Sequence, residues 1–330
     1  MSSAFAPPTS TSRRMSYMEA IVEAQIEEMS RDERVILMGE NLETYGDGKV
    51  MSTFGSHRVW STPISEGSFT GLGIGAAMTG LRPIVALSIA SFIYLASDQI
   101  INQAGKLPYM TGGQMKVPAV FRCSMYYNGS IAAQHSDRPY PMFMNAPGLK
   151  IIAPSTPADM KGLLKSAIRD DDPVVVFEDA TLWGLKEEVS TDPEHLVPLG
   201  KADIKHPGSD VTIVAIAGST KPALAAAQVL KQEKILAEVI DPRTLAPLDS
   251  NSIIRSVAKT GRLVVVDNAH RTCNAAAEIV ARMAEDAFDY LKKPIRRLST
   301  PDVHIPFSPA LEKPLYPSSE GIVAAVRSLL

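Results

Sequence analysis

Apolar positions along this chain follow two periods, and the switches between them predict the elements. From 15 to 32 they recur at helical spacing, with Met18, Ile21, Val22, Ala24 and Ile26 on one side of an amphipathic helix. Short apolar runs bounded by turn residues predict strands at 34–38, 83–89 and 117–122. A helix of another kind is predicted at 67–79: Gly71, Gly73, Gly75, Ala76 and Ala77 leave it almost bare, and Gly80 stands where a C-terminal stop belongs. Such a helix is intrinsically weak, but its missing side chains let another backbone or a flat ligand come close. A helical stretch at 97–107 carries Ile100, Ile101 and Ala104 on one side, and a helix at 158–168 is stopped by Pro173 after an acidic run.

The pattern changes at 186–208, where charge, proline and glycine increase and a linker is predicted. Beyond it, strands at 211–217, 237–240, 263–266 and 295–298 interleave with helices at 222–233, 248–257 and 274–291. Interleaving of this kind implies right-handed crossovers and a mainly parallel sheet. The first half has the same style, so the expected fold class is α/β, with two stacked mainly parallel-sheet domains at 15–185 and 209–330. Residues 1–14 are rich in Ser, Thr and Pro, carry no acidic residue and lack an amphipathic pattern. They predict a disordered arm, the alternative being a truncated organellar presequence.

Composition narrows the function. With 330 residues, 45% of them hydrophobic, and a formal net charge of -3, the chain suits two globular domains and gives no support to nucleic-acid or anionic-membrane binding. Cys123 and Cys273 stand too far apart in sequence to indicate a metal knuckle or a disulfide framework, and a reducing compartment is the default. No apolar run approaches membrane-spanning length.

Candidate chemistry begins at Glu66, which follows a turn containing Pro63 and opens the small-residue helix. One bland reading is a solvated first-turn glutamate favoured by the helix dipole. Another is a dinucleotide fingerprint at Gly71, Gly73 and Ala76, which needs a strand before it and an acidic residue after the next strand. Neither is present. The run SEGSFTGLGIGAAMTGLRPI resembles the beta subunit of the thiamine-diphosphate-dependent decarboxylase component of 2-oxo acid and acetoin dehydrogenase complexes, of the transketolase-like superfamily. The likeness continues through DQIINQAGKLPYMTGG and AAQHSDRPYPMFMNAPGLKIIAPSTPADMKGLLKSAIRDDDPVVVFE. In the second domain, VVVDNAHRTCNAAAEI and HIPFSPALEKPLYPSSEGIV lean toward the acetoin branch.

The resemblance implies a pyrimidine-binding domain followed by a transketolase-type C-terminal domain. It places Glu66 on the cofactor, Phe92 against the aminopyrimidine ring and Leu95 nearby, and it makes His135 the active-site histidine. A carboxyl group on the pyrimidine nitrogen would favour the imino tautomer that activates the thiazolium carbon. His135 would then move a substrate proton or polarise its carbonyl. The other five histidines, His57, His195, His206, His270 and His304, have no recognisable chemical context. The resemblance also implies a potassium ion at the end of the 158–168 helix, held largely by main-chain oxygens at Ala119, Ala167, Ile168, Asp170 and Asp172. The chain departs from the family at Asp137, where glutamine is usual, and from the acetoin pattern at Asn41, Gly67 and Ser88; YYNGS has fewer glycines than expected. Substrate identity is open at these positions.

Gly46-Asp47-Gly48 imitates a magnesium-diphosphate motif, but no asparagine occurs between Asn41 and Asn102, so a turn is expected there. The chain can therefore hold one end of thiamine diphosphate, and the resemblance implies an alpha subunit for the other, in an alpha2-beta2 heterotetramer working with a lipoyl acyltransferase core. The bare helix would then be interface. A cytoplasmic location follows, or the mitochondrial matrix if the arm is a presequence. A split transketolase or carboligase half-subunit would use the same half-site, and a non-catalytic binding subunit could keep the fold without the chemistry.

Overall fold

The structure is a computed structural model that describes residues 11–44 and 46–330. The first domain runs β1 (Ser12–Ser16), α1 (Tyr17–Arg31), β2 (Val35–Gly39), α2 (Gly48–Phe54), β3 (Val59–Ser61), α3 (Glu66–Met78) and β4 (Arg82–Ile89). A 3-10 stretch, Ala90–Ala96, and a π-helical stretch, Gln99–Ala104, lead to α4 (Leu107–Met110), β5 (Val120–Met125), α5 (Tyr140–Met144), β6 (Lys150–Ile152), α6 (Pro157–Arg169), β7 (Val174–Asp179) and β8 (Lys186–Ser190). The second comprises β9 (Asp203–His206), β10 (Val211–Ala215), α7 (Thr220–Gln232), β11 (Ala237–Asp241), β12 (Thr244–Ala246), α8 (Ser250–Thr260), β13 (Leu263–His270), α9 (Ala275–Asp286), β14 (Arg296–Thr300), α10 (Pro309–Glu312) and α11 (Ser319–Arg327).

Two main sheets carry the fold. The larger has the order β12-β6-β7-β5-β4-β2-β3, parallel except for β12, which the second domain contributes to its edge. The smaller has the order β14-β13-β10-β11-β9, parallel except for β9. The central strands are buried along their whole length, which is why their sequences read as unbroken apolar runs rather than alternating ones.

The arm and the linker behave differently from their local pattern. Residues 1–10 of the expected arm lie outside the described residues, but Ser12–Ser16 pairs antiparallel with Lys186–Ser190 from the expected linker. Met15 and Val189 from the two strands bury against Ala20. The linker's later part supplies β9. The expected helix at 97–107 is present mainly as the π-helical stretch Gln99–Ala104, and α4 starts where it was expected to end. Ser16 caps α1 in a reciprocal box with Glu19, whose side chain accepts from the Ser16 amide at 2.6 Å. The bareness of α3 has a packing cause at Gly73, where a Cβ would stand 2.6 Å from Val85 Cγ2 on β4. Close helix–sheet approach accounts for this glycine without any nucleotide.

Candidate active site

Pro63 and Ser65 turn the chain out of β3, so that α3 starts at Glu66 with the carboxylate in its first turn. Glu66 is buried, and among the described residues its carboxylate receives no hydrogen bond, leaving it available to a ligand. On the next segment, Gly67 faces the 3-10 stretch so closely that a Cβ would lie 3.2 Å from the Leu95 carbonyl oxygen. That approach brings the stretch carrying Phe92 onto the start of α3. The Phe92 ring in turn meets the His135 imidazole edge to face, with centroids 5.5 Å apart at 73°. Glu66, Phe92 and His135 are thus supplied by segments packed in sequence on one another. Leu95 is 66% exposed, so the protein alone does not enclose it.

A second carboxyl, Glu40, lies close enough to Glu66 to feel its charge. Glu40 follows Gly39 at the C-terminal end of β2, and a Cβ on Gly39 would stand 2.1 Å from the Ala86 carbonyl oxygen, so only glycine lets the strands meet there. Glu40 is 2% exposed and, among the described residues, neither of its carboxylate oxygens has a hydrogen-bond partner. Burial, and then the charge of Glu66, push its pKa up to about 7. Beside it lies a cavity of about 20 Å³, room for one water, lined also by Asn41 and Ser88. Ser88 has a positive φ and an unpartnered hydroxyl. Two of the departures from the acetoin pattern therefore meet beside Glu40. Nothing in the local pattern singles Glu40 out; the available signal is an acidic residue just beyond a parallel strand, where ligand sites collect in such sheets.

The Gly46-Asp47-Gly48 segment is accounted for by the protein itself. Asp47 is buried and accepts from Gln25 Nε2 at 2.7 Å and from Arg122 Nη1 at 3.1 Å, while Arg122 Nε donates to Glu178 at 2.6 Å. Its carboxylate neutralises a buried guanidinium and is not free for a metal. Among the described residues, no group of three or more His, Cys, Asp or Glu side chains could hold a metal ion.

The five expected potassium positions gather at the C-terminal end of α6. Arg82 Nε donates to the Ile168 carbonyl at 2.8 Å and the same guanidinium reaches the Asp170 carbonyl; Lys150 Nζ donates to both Asp170 carboxylate oxygens at 2.8 and 2.7 Å and lies 3.0 Å from Asp172. The Ala119 and Ala167 carbonyls accept from the amides of Val174 and Asp170 at 3.0 and 3.3 Å. The large interdomain cleft, about 1060 Å³ between α5 and α9, is lined by none of Glu66, Phe92 or His135.

Two domains built on mainly parallel sheets, the first with a buried carboxylate at a helix start, fit the transketolase-like class, and the family matches show that class. Residues 13–184 match the transketolase pyrimidine-binding domain family and residues 200–322 the transketolase C-terminal domain family. The chain is 42% identical over 335 residues to the acetoin:2,6-dichlorophenolindophenol oxidoreductase subunit beta of Bacillus subtilis, covering 96% of this chain and 98% of that one. It is 43% identical over 320 residues to the pyruvate dehydrogenase E1 component subunit beta of Rhizobium meliloti, covering 96% and 70%. A solved structure described as a split gene transketolase, inactive beta4 tetramer, superposes with a TM-score of 0.80 at 22% identity, covering 96% and 98% of the two chains, which is a likeness of fold. The chain belongs to the family of thiamine-diphosphate-dependent 2-oxo acid and acetoin dehydrogenase beta subunits.

Proposed function

We propose that this chain supplies the pyrimidine half of a thiamine diphosphate site in an acetoin or pyruvate dehydrogenase, and that an alpha subunit supplies the magnesium-diphosphate half. The observation that carries the reading is Glu66, a buried carboxylate with no hydrogen bond among the described residues, at the start of a helix that packs on the segment carrying Phe92, whose ring in turn meets His135. Such a donor set fits the ring of the cofactor: Glu66 would hold a proton against the pyrimidine nitrogen, and Phe92 would keep water from that contact. Thiamine diphosphate, when bound, supplies the carbon nucleophile that cleaves the bond beside the substrate carbonyl or carbinol. His135, through an imidazole nitrogen, would take or return the proton of the substrate oxygen. The acyl product would pass to the lipoyl arm of an acyltransferase core.

An apolar surface supports the partner. Ile64, Leu72, Leu95, Tyr109 and Met110 are all exposed on α3, α4 and the segments flanking them, with Tyr109 at 90%. Large exposed apolar side chains on neighbouring elements mark protein interfaces. No helix among the described residues is long and apolar enough to cross a membrane, and the reading places the complex in the cytoplasm or the mitochondrial matrix.

A potassium ion at the end of α6 belongs to the same proposal. Each carbonyl there has two lone pairs and can accept beyond its protein bond. Arg82 and Lys150 already bring two positive charges, so main-chain oxygens would have to provide most of the grip.

The test is reconstitution with the alpha subunit and a lipoyl domain. Glu66→Gln keeps shape and loses proton control, so acyl transfer should fall by roughly two orders of magnitude or more with assembly intact. Near-normal rates in the purified variant would remove Glu66 from this role. Transfer to an aldehyde acceptor in place of the lipoyl arm would move the assignment to a split transketolase or carboligase.

A further inference from the structure

The loop that delivers His135 is held from the other domain. Between β5 and the single 3-10 turn at Ala133–His135, Asn128, Ser130 and Ala132 take φ values of +54°, +53° and +63°. Asparagine enters that region readily; serine and alanine do so at a cost and stay only where their surroundings over-determine them. Here the surroundings are Glu312 and Tyr316. Glu312, 1% exposed at the end of α10, accepts the Ser130 amide at 2.9 Å with one carboxylate oxygen and the Tyr316 hydroxyl at 3.3 Å with the other. The Tyr316 ring packs on Tyr127 with centroids 5.0 Å apart. The Arg138 guanidinium lies 4.4 Å from the Tyr127 ring centre and 5.5 Å from that of Tyr316. The segment is thus gripped before His135 at Tyr127, at Ser130, and after it at Arg138.

We propose that Glu312 and Tyr316 are positioning residues for His135, acting through the strained Ser130–Ala132 backbone rather than by touching the reacting atoms. This rests on the reading of His135 as a proton-transfer group. It implies that contacts from the second domain set the geometry of the histidine loop.

Glu312→Ala, assembled with the alpha subunit, should speed amide hydrogen exchange of the peptide spanning 126–138 about tenfold or more and lower kcat about tenfold, with KM changed less than twofold. Adding Ser130→Gly should restore most of kcat, because glycine holds a positive φ without the clamp. Glu312→Gln, whose amide oxygen still accepts the Ser130 amide, should stay near the parent. A merely structural Glu312 would not be rescued at Ser130. Faster exchange with unchanged kcat, or a kcat loss that Ser130→Gly leaves in place, would overturn the proposal. If Glu312→Ala does not assemble, Tyr316→Phe keeps the ring and drops the hydroxyl bond; it should shift exchange and kcat in the same direction, two- to threefold, and no shift in either would also overturn it. His135→Ala, measured alongside, tells the two readings apart: unchanged turnover there removes the role of His135 and this proposal with it, whereas a large loss leaves the clamp to be judged on its own variants.

Discussion

Replacing Glu40 by glutamine should stabilise the chain above neutral pH and leave it unchanged in acid. Glu40 is 2% exposed with both oxygens unpartnered, and burial followed by the charge of Glu66 raises its pKa from 4.5 to about 7. The sign follows from proton uptake. Below about pH 4 the group is protonated in both folded and unfolded chains and costs nothing. Between about 4.5 and 7 the unfolded chain loses the proton while the folded one keeps it, so stability falls as pH rises through that window and levels off above it. At about 1.4 kcal/mol per pH unit, the whole window amounts to at most about 3.5 kcal/mol. Glutamine reproduces the shape and neutrality of the protonated acid, including its unpaired polar atoms, so variant minus parent isolates the ionisation. Other buried carboxyls contribute to the parent's own profile, with Asp241 also pushed up to about 7 and Asp179 and Asp267 raised, but they cancel in the difference. Urea unfolding of both proteins at pH 4, 5, 6, 7 and 8 should give a difference close to zero at pH 4 and roughly 1–3 kcal/mol at pH 8. Repeating the pair in a Glu66→Gln background should shrink it, since one of the two causes is gone. A difference that stays flat from pH 5 to pH 8 would refute the reasoning.

His135→Ala should lower turnover by roughly two to four orders of magnitude with little change in cofactor affinity; an effect confined to thermal stability would return the histidine to a structural role. Exchanging potassium for sodium at constant ionic strength should lower the melting midpoint, because an ion at a hundred times its Kd contributes about 2.7 kcal/mol. Equal midpoints in the two salts would remove potassium from the end of α6.

What was legible in the sequence was local. The buried strands β4 and β5 and the bare helix α3 announce themselves within a dozen residues, as does the turn that puts Glu66 at a helix start. What was not legible depends on residues far apart in the chain. Ser12 pairs with Ser190, and neither segment has an apolar run that would reveal a strand by itself. Asp47 reads as a turn residue beside Gly46 and Gly48, yet its partner is Arg122, which comes from a central strand. Glu40 carries only the weak mark of an acidic residue just beyond a strand, because its chemistry arises from burial and from the nearness of Glu66. Ser130 and Ala132 look like ordinary loop residues, and only the φ angles and the bond to Glu312 reveal a constraint. Periodicity reports one face of one element; pairing, burial and strain are properties of two.

The proposed division of the cofactor site between two chains leads to the remaining prediction, that this chain alone binds thiamine diphosphate weakly or not at all and that the alpha subunit produces tight, magnesium-dependent binding. Glu66 and Phe92 can address the ring, but the one acidic glycine-flanked residue that imitates a metal-diphosphate grip, Asp47, is spent on Gln25 and Arg122 inside the fold. Freeing it would leave a buried guanidinium short of a partner, a change that typically costs 3–5 kcal/mol. The charge-assisted contacts to the diphosphate, the stronger part of the expected affinity, must therefore come from elsewhere. The exposed Leu72, Leu95 and Tyr109 show a surface on which another chain can bring them. Calorimetric titration of the isolated chain with cofactor and magnesium, repeated after addition of the alpha subunit, decides the matter. Micromolar affinity without the partner would mean that a second half-site exists within this chain, and the shared-site reading would have to be replaced.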